Sequence, residues 1–146
     1  MARVLGIDYG KQRIGVATTD PLQLIATPLT TVRKGEILLF LQNYLSQEEV
    51  EAIVVGNPLT LQGQASAMIH LVDKFVLLLK KNFPSVPIFM FDERFTSAMA
   101  QASRVDGDFK KKARQNKASI DAVSATFILR SFLVLYQTLE SPLKPI

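Results

Sequence analysis

The chain has 146 residues, of which 48% are hydrophobic and 21% are charged, and it contains no cysteine. This length suits one domain with one core, and the composition is that of a globular protein rather than a disordered tail. The lack of cysteine excludes a disulfide framework and a thiolate metal site, and it is compatible with a reducing cytosol. The net charge of +4 favours a polyanionic partner. No apolar run approaches the roughly 20 residues that a membrane span needs, so we expect no membrane association.

The first part of the chain is predicted to form an antiparallel meander. Residues 3–20 are typical of two strands joined by a tight turn, with apolar residues on both faces of the first strand. Small residues at Gly15 and Ala17 in the second strand would let another backbone or a ligand approach closely. A third strand is predicted over 24–32, and Pro28 makes it an edge strand because proline cannot donate to a strand ladder. Short links between these strands favour antiparallel pairing.

The rest of the chain alternates helices with strands. The pattern predicts strands over 52–56 and 87–91, a basic connection over 104–117, and helices over 36–45, 64–82, 96–103 and 118–139. This alternation is typical of parallel strands with helical crossovers. We therefore expect an α/β fold in a single domain over residues 1–146. Its mixed five-stranded sheet would have three antiparallel strands, then two parallel ones, with helices on both faces.

Acidic residues stand where the pattern predicts a strand end or a buried helix face. Asp8 ends the first strand, Asp92 and Glu93 follow the last strand, and Asp121 shares a helical stripe with Ala125. The carboxyl ends of parallel strands meet at one edge of a sheet, so these carboxylates can converge if the last helix crosses that edge. Oxygen ligands of this kind suit Mg²⁺ or Mn²⁺. Two such ions, a few Å apart, support phosphodiester hydrolysis.

Each of these acidic residues also has a simpler interpretation. Asp8 could cap a turn, and Asp121 could form an ion pair with Lys117 one helical turn earlier. Glu93 and the aspartate before it would face opposite ways in a strand, so at most one of the two is a ligand.

Basic and backbone groups that could hold phosphates lie in the same regions. The amides of the glycine-bounded loop 56–63 could bind a phosphate, or this segment could be a plain loop. The candidate phosphate-binding side chains outside the basic connection are Lys11, Arg13 and Arg94. The connection itself carries six basic residues against two aspartates: Arg104, Lys110, Lys111, Lys112, Arg114 and Lys117. Such a run is often only a solvated loop. Here its place between the last strand and the last helix would let a nucleic-acid backbone lie across the carboxylates, which predicts a nucleic-acid partner.

Four segments resemble the motifs of the YqgF (RuvX) family. They are GIDYGKQRIGVATTD (6–20), VVGNPLTLQG (54–63), DERFTS (92–97) and KASIDAVSATFIL (117–129). The resemblance covers essentially the whole chain, and four motifs in the right order are far more specific than one. It implies an RNase H-like fold, a cytoplasmic location and metal-dependent phosphodiester hydrolysis. By position, it implies that Asp8, Glu93 and Asp121 are the catalytic residues and the ligands of Mg²⁺ or Mn²⁺.

One departure separates this pattern from RuvC-type resolvases, which place their second acid on the fourth strand. Here that strand ends in Gly56 and Asn57, and the acid follows one strand later, at Glu93. Our first hypothesis is therefore a nuclease that processes the 5′ end of pre-16S rRNA. Holliday junction resolution is the second, and it would require a homodimer rather than a monomer, because two symmetric cuts need two sites.

Two further classes share parts of the pattern. A non-catalytic nucleic-acid-binding module could use the same scaffold, because a fold does not guarantee its chemistry. A nucleotidase of the actin and sugar-kinase type also begins with a Gly-Ile-Asp-x-Gly hairpin. Such an enzyme needs a second duplicated domain, for which 146 residues leave no room.

Overall fold

The computed structural model describes residues 2–57, 68–92, 117–138 and 145–146. Its strands are β1 Arg3–Tyr9, β2 Arg13–Thr19, β3 Ala26–Arg33, β4 Val50–Asn57 and β5 Ile88–Asp92. Its helices are α1 Ile37–Gln47, preceded by a 3₁₀ turn over Lys34–Glu36, α2 Ile69–Asn82 and α3 Lys117–Thr138. The predicted helix over 96–103, most of the predicted connection and loop residues 58–63 lie outside the described residues.

The five strands form one mixed sheet in the order β3-β2-β1-β4-β5. β2 pairs antiparallel with both β1 and β3, whereas β4 pairs parallel with both β1 and β5. The predicted meander followed by two parallel strands is therefore confirmed. β1 is the central strand, which explains why its apolar residues occur on both faces.

Helices cover both faces of this sheet and bury two apolar clusters. Leu5 and Ile7 of β1 belong to the cluster under α1 and α2, and Val4 belongs to the cluster under α3. The alternation of side chains along β1 produces this division. Each Leu or Ile that is fully buried stabilises the fold by about 1.5–3 kcal/mol. In the part of the chain that the structure describes, no helix has both the length and the apolar character of a membrane span.

An aromatic group anchors α3 to the sheet. Phe89 and Phe91 of β5 pack against Phe132 of α3, with ring centroids 5.1 Å and 6.4 Å apart. Tyr136 stacks on Phe132 from the next helical turn at 5.1 Å. Aromatic pairs of this geometry contribute about 0.5–1.5 kcal/mol each beyond their buried area. This anchor holds the carboxyl-terminal half of α3 against β5.

Most element boundaries lie close to their predicted positions. β4, β5, α1 and α3 begin and end within two residues of the predicted bounds. α2 ends at Asn82, as predicted, and begins at Ile69; the predicted first residues, 64–67, lie outside the described part of the chain.

β3 begins two residues later than predicted, at Ala26 rather than at residue 24. The Asp20 carboxylate accepts hydrogen bonds from the backbone N–H groups of Leu24 and Ile25, both at 2.8 Å. These bonds hold the two residues in a turn, so they cannot extend the ladder. The backbone hydrogen bond from Ile25, followed by that from Leu24, lowers the pKa of Asp20 below its usual value.

The outer edge of β3 is irregular. Val16 pairs with Thr30 and Ala17 pairs with Pro28, so Leu29 is an extra residue that forms a β-bulge. Pro28 also lacks the N–H group that a ladder requires. The prediction of an edge strand at this proline is confirmed, and the bulge and the proline together are typical of edges that resist further strand pairing.

Candidate active site

The three parallel strands end at one edge of the sheet. Ile7 of β1 pairs with Val55 of β4, and Asn57 of β4 pairs with Asp92 of β5. Asp8 is therefore next to the end of β4. Open α/β sheets place their sites at this edge, as predicted for the acidic residues here.

Gly15 brings Asp8 and Asp121 to the same place. Asp8 pairs with Gly15 across the β1–β2 ladder, and residues paired in this way share a face, with Cβ positions about 4.5–5.5 Å apart. A Cβ added to Gly15 would lie 2.8 Å from the Ala122 backbone nitrogen and closer still to the Asp121 carbonyl oxygen. The backbone of α3 therefore rests directly on β2. The predicted close approach at Gly15 is confirmed, and the approaching group is the α3 backbone.

The Asp121 carboxylate is incompletely satisfied by the residues around it. Its side chain is 29% exposed, yet its Oδ2 atom is buried and accepts no hydrogen bond from the described residues. The Nε atom of Arg13 lies 3.5 Å from Oδ2, which is an ion pair without hydrogen-bond geometry. Lys117, the ion-pair partner that the sequence suggested for Asp121, is the first residue of α3, but the structure does not describe its side chain. A buried carboxylate oxygen without a donor is costly, and a cation would remove that cost.

The stripe of α3 that carries Asp121 faces the sheet, as predicted. Ala125, Ile128 and Phe132 on the same stripe are all buried in the cluster under α3. Asp121 is thus the polar start of an otherwise apolar face. Asp8 is half-buried at the end of β1, on the same side of the sheet.

The β1–β2 hairpin positions Arg13 and Lys11. The backbone N–H of Gly10 donates to the Arg13 carbonyl oxygen at 3.0 Å, and a Cβ on Gly10 would collide with that oxygen. This closes the turn around Lys11, which is exposed at the tip. Arg13 precedes Gly15 by two residues on β2, so its side chain emerges on the α3 face, where Asp121 lies.

Two basic residues that the sequence analysis did not single out lie beside the hairpin. Arg33 pairs with Arg13 across the β2–β3 ladder, and the Lys34 backbone N–H donates to the Gln12 carbonyl oxygen at 3.0 Å. Both side chains are exposed, and the Lys34 ammonium lies 5.6 Å from the centroid of the Tyr9 ring, a cation–π contact. A meander must return the end of its third strand to its first turn. The predicted meander, together with the adjacent basic residues Arg33 and Lys34, could therefore have identified this position from the sequence. We call Lys11, Arg13, Arg33 and Lys34 the hairpin basic cluster.

The remaining predicted site residues cannot be placed. Glu93 follows Asp92 in the chain, but it lies outside the described residues. The same holds for these predicted basic contacts: Arg94, Lys110, Lys111, Lys112 and Arg114. Among the described residues, no three acidic or histidine side chains form a metal-binding group. Asp8 and Asp121 are therefore the described part of the predicted centre.

Sequence comparison assigns the chain to a family. A family model described as "RuvX: Holliday junction resolvase" matches residues 2–134. The chain belongs to the RuvX family. A RuvX relative from Amoebophilus asiaticus, named "Putative pre-16S rRNA nuclease", is 50% identical over 137 residues, which cover 94% of this chain and 97% of that protein. A relative of the same name from Phocaeicola vulgatus is 49% identical over 133 residues, which cover 91% of this chain and 96% of that protein.

Solved structures with the same architecture support the fold of this RuvX-family chain. Thermus thermophilus RuvC, in complex with a Holliday junction substrate, superposes with a TM-score of 0.59 at 15% identity, and the match covers 100% of both chains. The fowlpox virus Holliday junction resolvase gives a TM-score of 0.50 at 11% identity and covers 94% of this chain. The predicted RNase H-like fold and the predicted family are both confirmed.

Proposed function

We propose that this RuvX-family protein is a nuclease that hydrolyses phosphodiester bonds in structured RNA, with the 5′ region of pre-16S rRNA as its substrate. It would act as a single cytoplasmic domain over residues 1–146. The observation that carries the proposal is the buried Oδ2 of Asp121, which accepts no hydrogen bond from the described residues and lies at the sheet edge beside Asp8. The names of two relatives of about 50% identity support the choice of a pre-rRNA substrate.

The residues at this edge fit a divalent metal ion. Carboxylate oxygens are the ligands that Mg²⁺ and Mn²⁺ prefer, and the orphaned Oδ2 of Asp121 is such an oxygen. Asp8 and Asp121 would hold the metal, with Glu93 as the third ligand. Phe89 and Phe91 face α3, and Glu93 is the next alternate position in the sequence, which supports its assignment to the same face. The bound metal would supply activation of the attacking water and stabilisation of charge on the phosphate.

Basic residues would hold the nucleic-acid backbone on both sides of these carboxylates. The hairpin basic cluster lies on the β2–β3 side. The predicted contacts that follow β5 are Arg94, Lys110, Lys111, Lys112, Arg114 and Lys117. Contacts of this kind bind phosphates and carry no sequence information, so selection of the cut would depend on the shape of the RNA.

Holliday junction resolution is the second candidate function, because the description of the matching family names it. Against it, β4 ends in Gly56 and Asn57, where an acid is expected in a RuvC-type resolvase. Resolution would also need two copies of the chain, since one junction requires two cuts.

A substrate panel tests the proposal. The protein is incubated with an RNA that carries the 5′ extension of 16S rRNA, with the mature RNA of the same length, and with a four-way DNA junction, each in Mg²⁺, in Mn²⁺ and in EDTA. We expect cleavage of the extended RNA alone, and only with metal. Symmetric cutting of the junction without cleavage of the RNA would establish the second candidate instead. Metal-independent binding without any cleavage would identify a non-catalytic module.

The hairpin basic cluster makes a prediction about RNA binding. Replacement of Arg33 and Lys34 by glutamine should weaken binding and reduce the slope of log K against log salt by about 1.5, because two phosphate contacts are lost. Filter binding or fluorescence anisotropy at several salt concentrations measures the slope. The control replaces Lys80 and Lys81, which are exposed at the end of α2, before β5 begins, and so at the opposite end of the sheet. An equal effect of both double variants would show that the net charge of the protein alone determines the affinity. It would contradict a local RNA-binding site at the hairpin.

A further inference from the structure

Arg13 places its guanidinium beside the carboxylate that would hold a metal ion. Its Nε atom lies 3.5 Å from the buried Oδ2 of Asp121, the same oxygen that lacks a hydrogen bond from the described residues. We propose that Arg13 is a built-in counter-cation, which neutralises Asp121 in the metal-free protein and is displaced when a divalent ion binds. This inference rests on the proposed metal-dependent function, because it concerns the same carboxylate.

The geometry of the pair favours displacement over a permanent structural role. An arginine that anchors a carboxylate usually donates one or two hydrogen bonds at about 2.7–2.9 Å. Arg13 instead lies at 3.5 Å without such a bond, and its side chain is 46% exposed. The guanidinium therefore compensates the charge of Asp121 but leaves Oδ2 without a hydrogen bond. Because the Arg13 side chain is partly exposed, it can move into the solvent.

The surrounding backbone holds Arg13 in place for this role. The Gly10–Arg13 hydrogen bond closes the hairpin at the root of the side chain. Arg33 is the cross-strand partner of Arg13, and like charges in paired positions repel each other. In the metal-free protein this repulsion biases Arg13 toward Asp121, whose opposite charge lies 3.5 Å away on the same face.

Displacement would couple metal binding to substrate binding. Binding of a divalent ion to the Asp121 carboxylate would add the positive charge of the ion to the site. It would also displace the Arg13 guanidinium from that carboxylate. The freed Arg13 guanidinium can then bind a phosphate oxygen beside the other residues of the hairpin basic cluster. The Arg13 side chain would thus neutralise Asp121 when no metal is bound and bind the substrate phosphate when the metal is present.

Metal affinity tests the proposal without any measurement of cleavage. Isothermal titration with Mn²⁺ in about 0.15 M salt, where charges more than about 8 Å apart are screened, compares wild type with Arg13→Gln, Arg13→Lys and Lys80→Gln. We expect Arg13→Gln to lower the Kd for Mn²⁺ by about fivefold, since the competing cation is lost. Arg13→Lys should stay near wild type, and so should Lys80→Gln, which removes a remote charge. An unchanged or weaker affinity in Arg13→Gln would overturn the proposal.

Two further measurements protect the test. In the Asp121→Asn background, Arg13→Gln should give no gain in affinity, because the two side chains act on each other. In ¹⁵N-labelled wild type, the Nε signal of Arg13, assigned with the Arg13→Lys variant, should shift on addition of Mg²⁺. A static signal would contradict displacement even if Arg13→Gln failed to fold. Metal-dependent cleavage by wild type with an unchanged Kd for Mn²⁺ in Arg13→Gln would refute this inference alone. A lower Kd in Arg13→Gln without any cleavage by wild type would instead refute the proposed nuclease function.

Discussion

Replacement of Asp8 by asparagine is expected to lower metal-dependent cleavage by more than about a hundredfold, because losses of 10- to 100-fold already follow from changes outside the direct ligand shell. Asparagine keeps the shape of the side chain and removes its charge, so the protein should stay folded and should still bind RNA. Asp8 lies at the end of the central strand, paired with Gly15 and beside Asp121. The loss would therefore report on the metal centre and not on the fold.

The control for this experiment is Asp73→Asn, which makes the same chemical change at an exposed position of α2. Cleavage of the extended RNA, binding of the same RNA and the melting temperature are measured for both variants. Asp73→Asn should match wild type in all three. Equal, metal-independent cleavage by wild type and Asp8→Asn would trace the activity to a contaminant and remove the assignment.

Replacement of Gly15 by alanine should damage stability and the site together. The new Cβ would overlap the Asp121 carbonyl group and would lie 2.8 Å from the Ala122 nitrogen, so α3 must move away from β2. Overpacking of this kind costs about 1–3 kcal/mol in the free energy of unfolding. Because Asp121 travels with α3, we also expect weaker Mn²⁺ binding and loss of cleavage.

Gly35→Ala is the matched control, since a Cβ at Gly35 meets no atom within 4 Å. Urea unfolding gives the free energies, and titration gives the metal affinities. The control should leave both near wild type. A Gly15→Ala protein that is destabilised but still binds and cleaves as wild type would show that the position of α3 does not set the site.

The order of the strands and the buried faces of the elements could be predicted from the sequence, because local residue patterns determine them. Apolar residues on both faces of β1 indicated a central strand, and Pro28 indicated an edge. Gly15 indicated a close approach, and the stripe containing Asp121 indicated a face turned toward the sheet. Each of these inferences needed only alternation, helical period or the absence of a side chain.

The contacts between distant segments could not be predicted in the same way. The Arg13–Asp121 pair joins residues more than a hundred positions apart, and no local pattern indicates that Arg13 lies beside this carboxylate. The start of β3 was predicted too early because the Asp20 carboxylate captures the amides of Leu24 and Ile25, which is an effect of turn chemistry and not of hydrophobicity. Glu93, Arg94 and the basic connection remain predictions, because these residues lie outside the part of the chain that the structure describes.

The bulge at Leu29 and the missing donor at Pro28 have a consequence for assembly. Two copies of this chain could not readily build one continuous ten-stranded layer by joining their β3 strands, since neither copy offers a regular row of hydrogen-bonding groups there. A twofold pairing that served two cuts would have to use a surface other than the β3 edge, and crosslinks placed on β3 should fail to capture it.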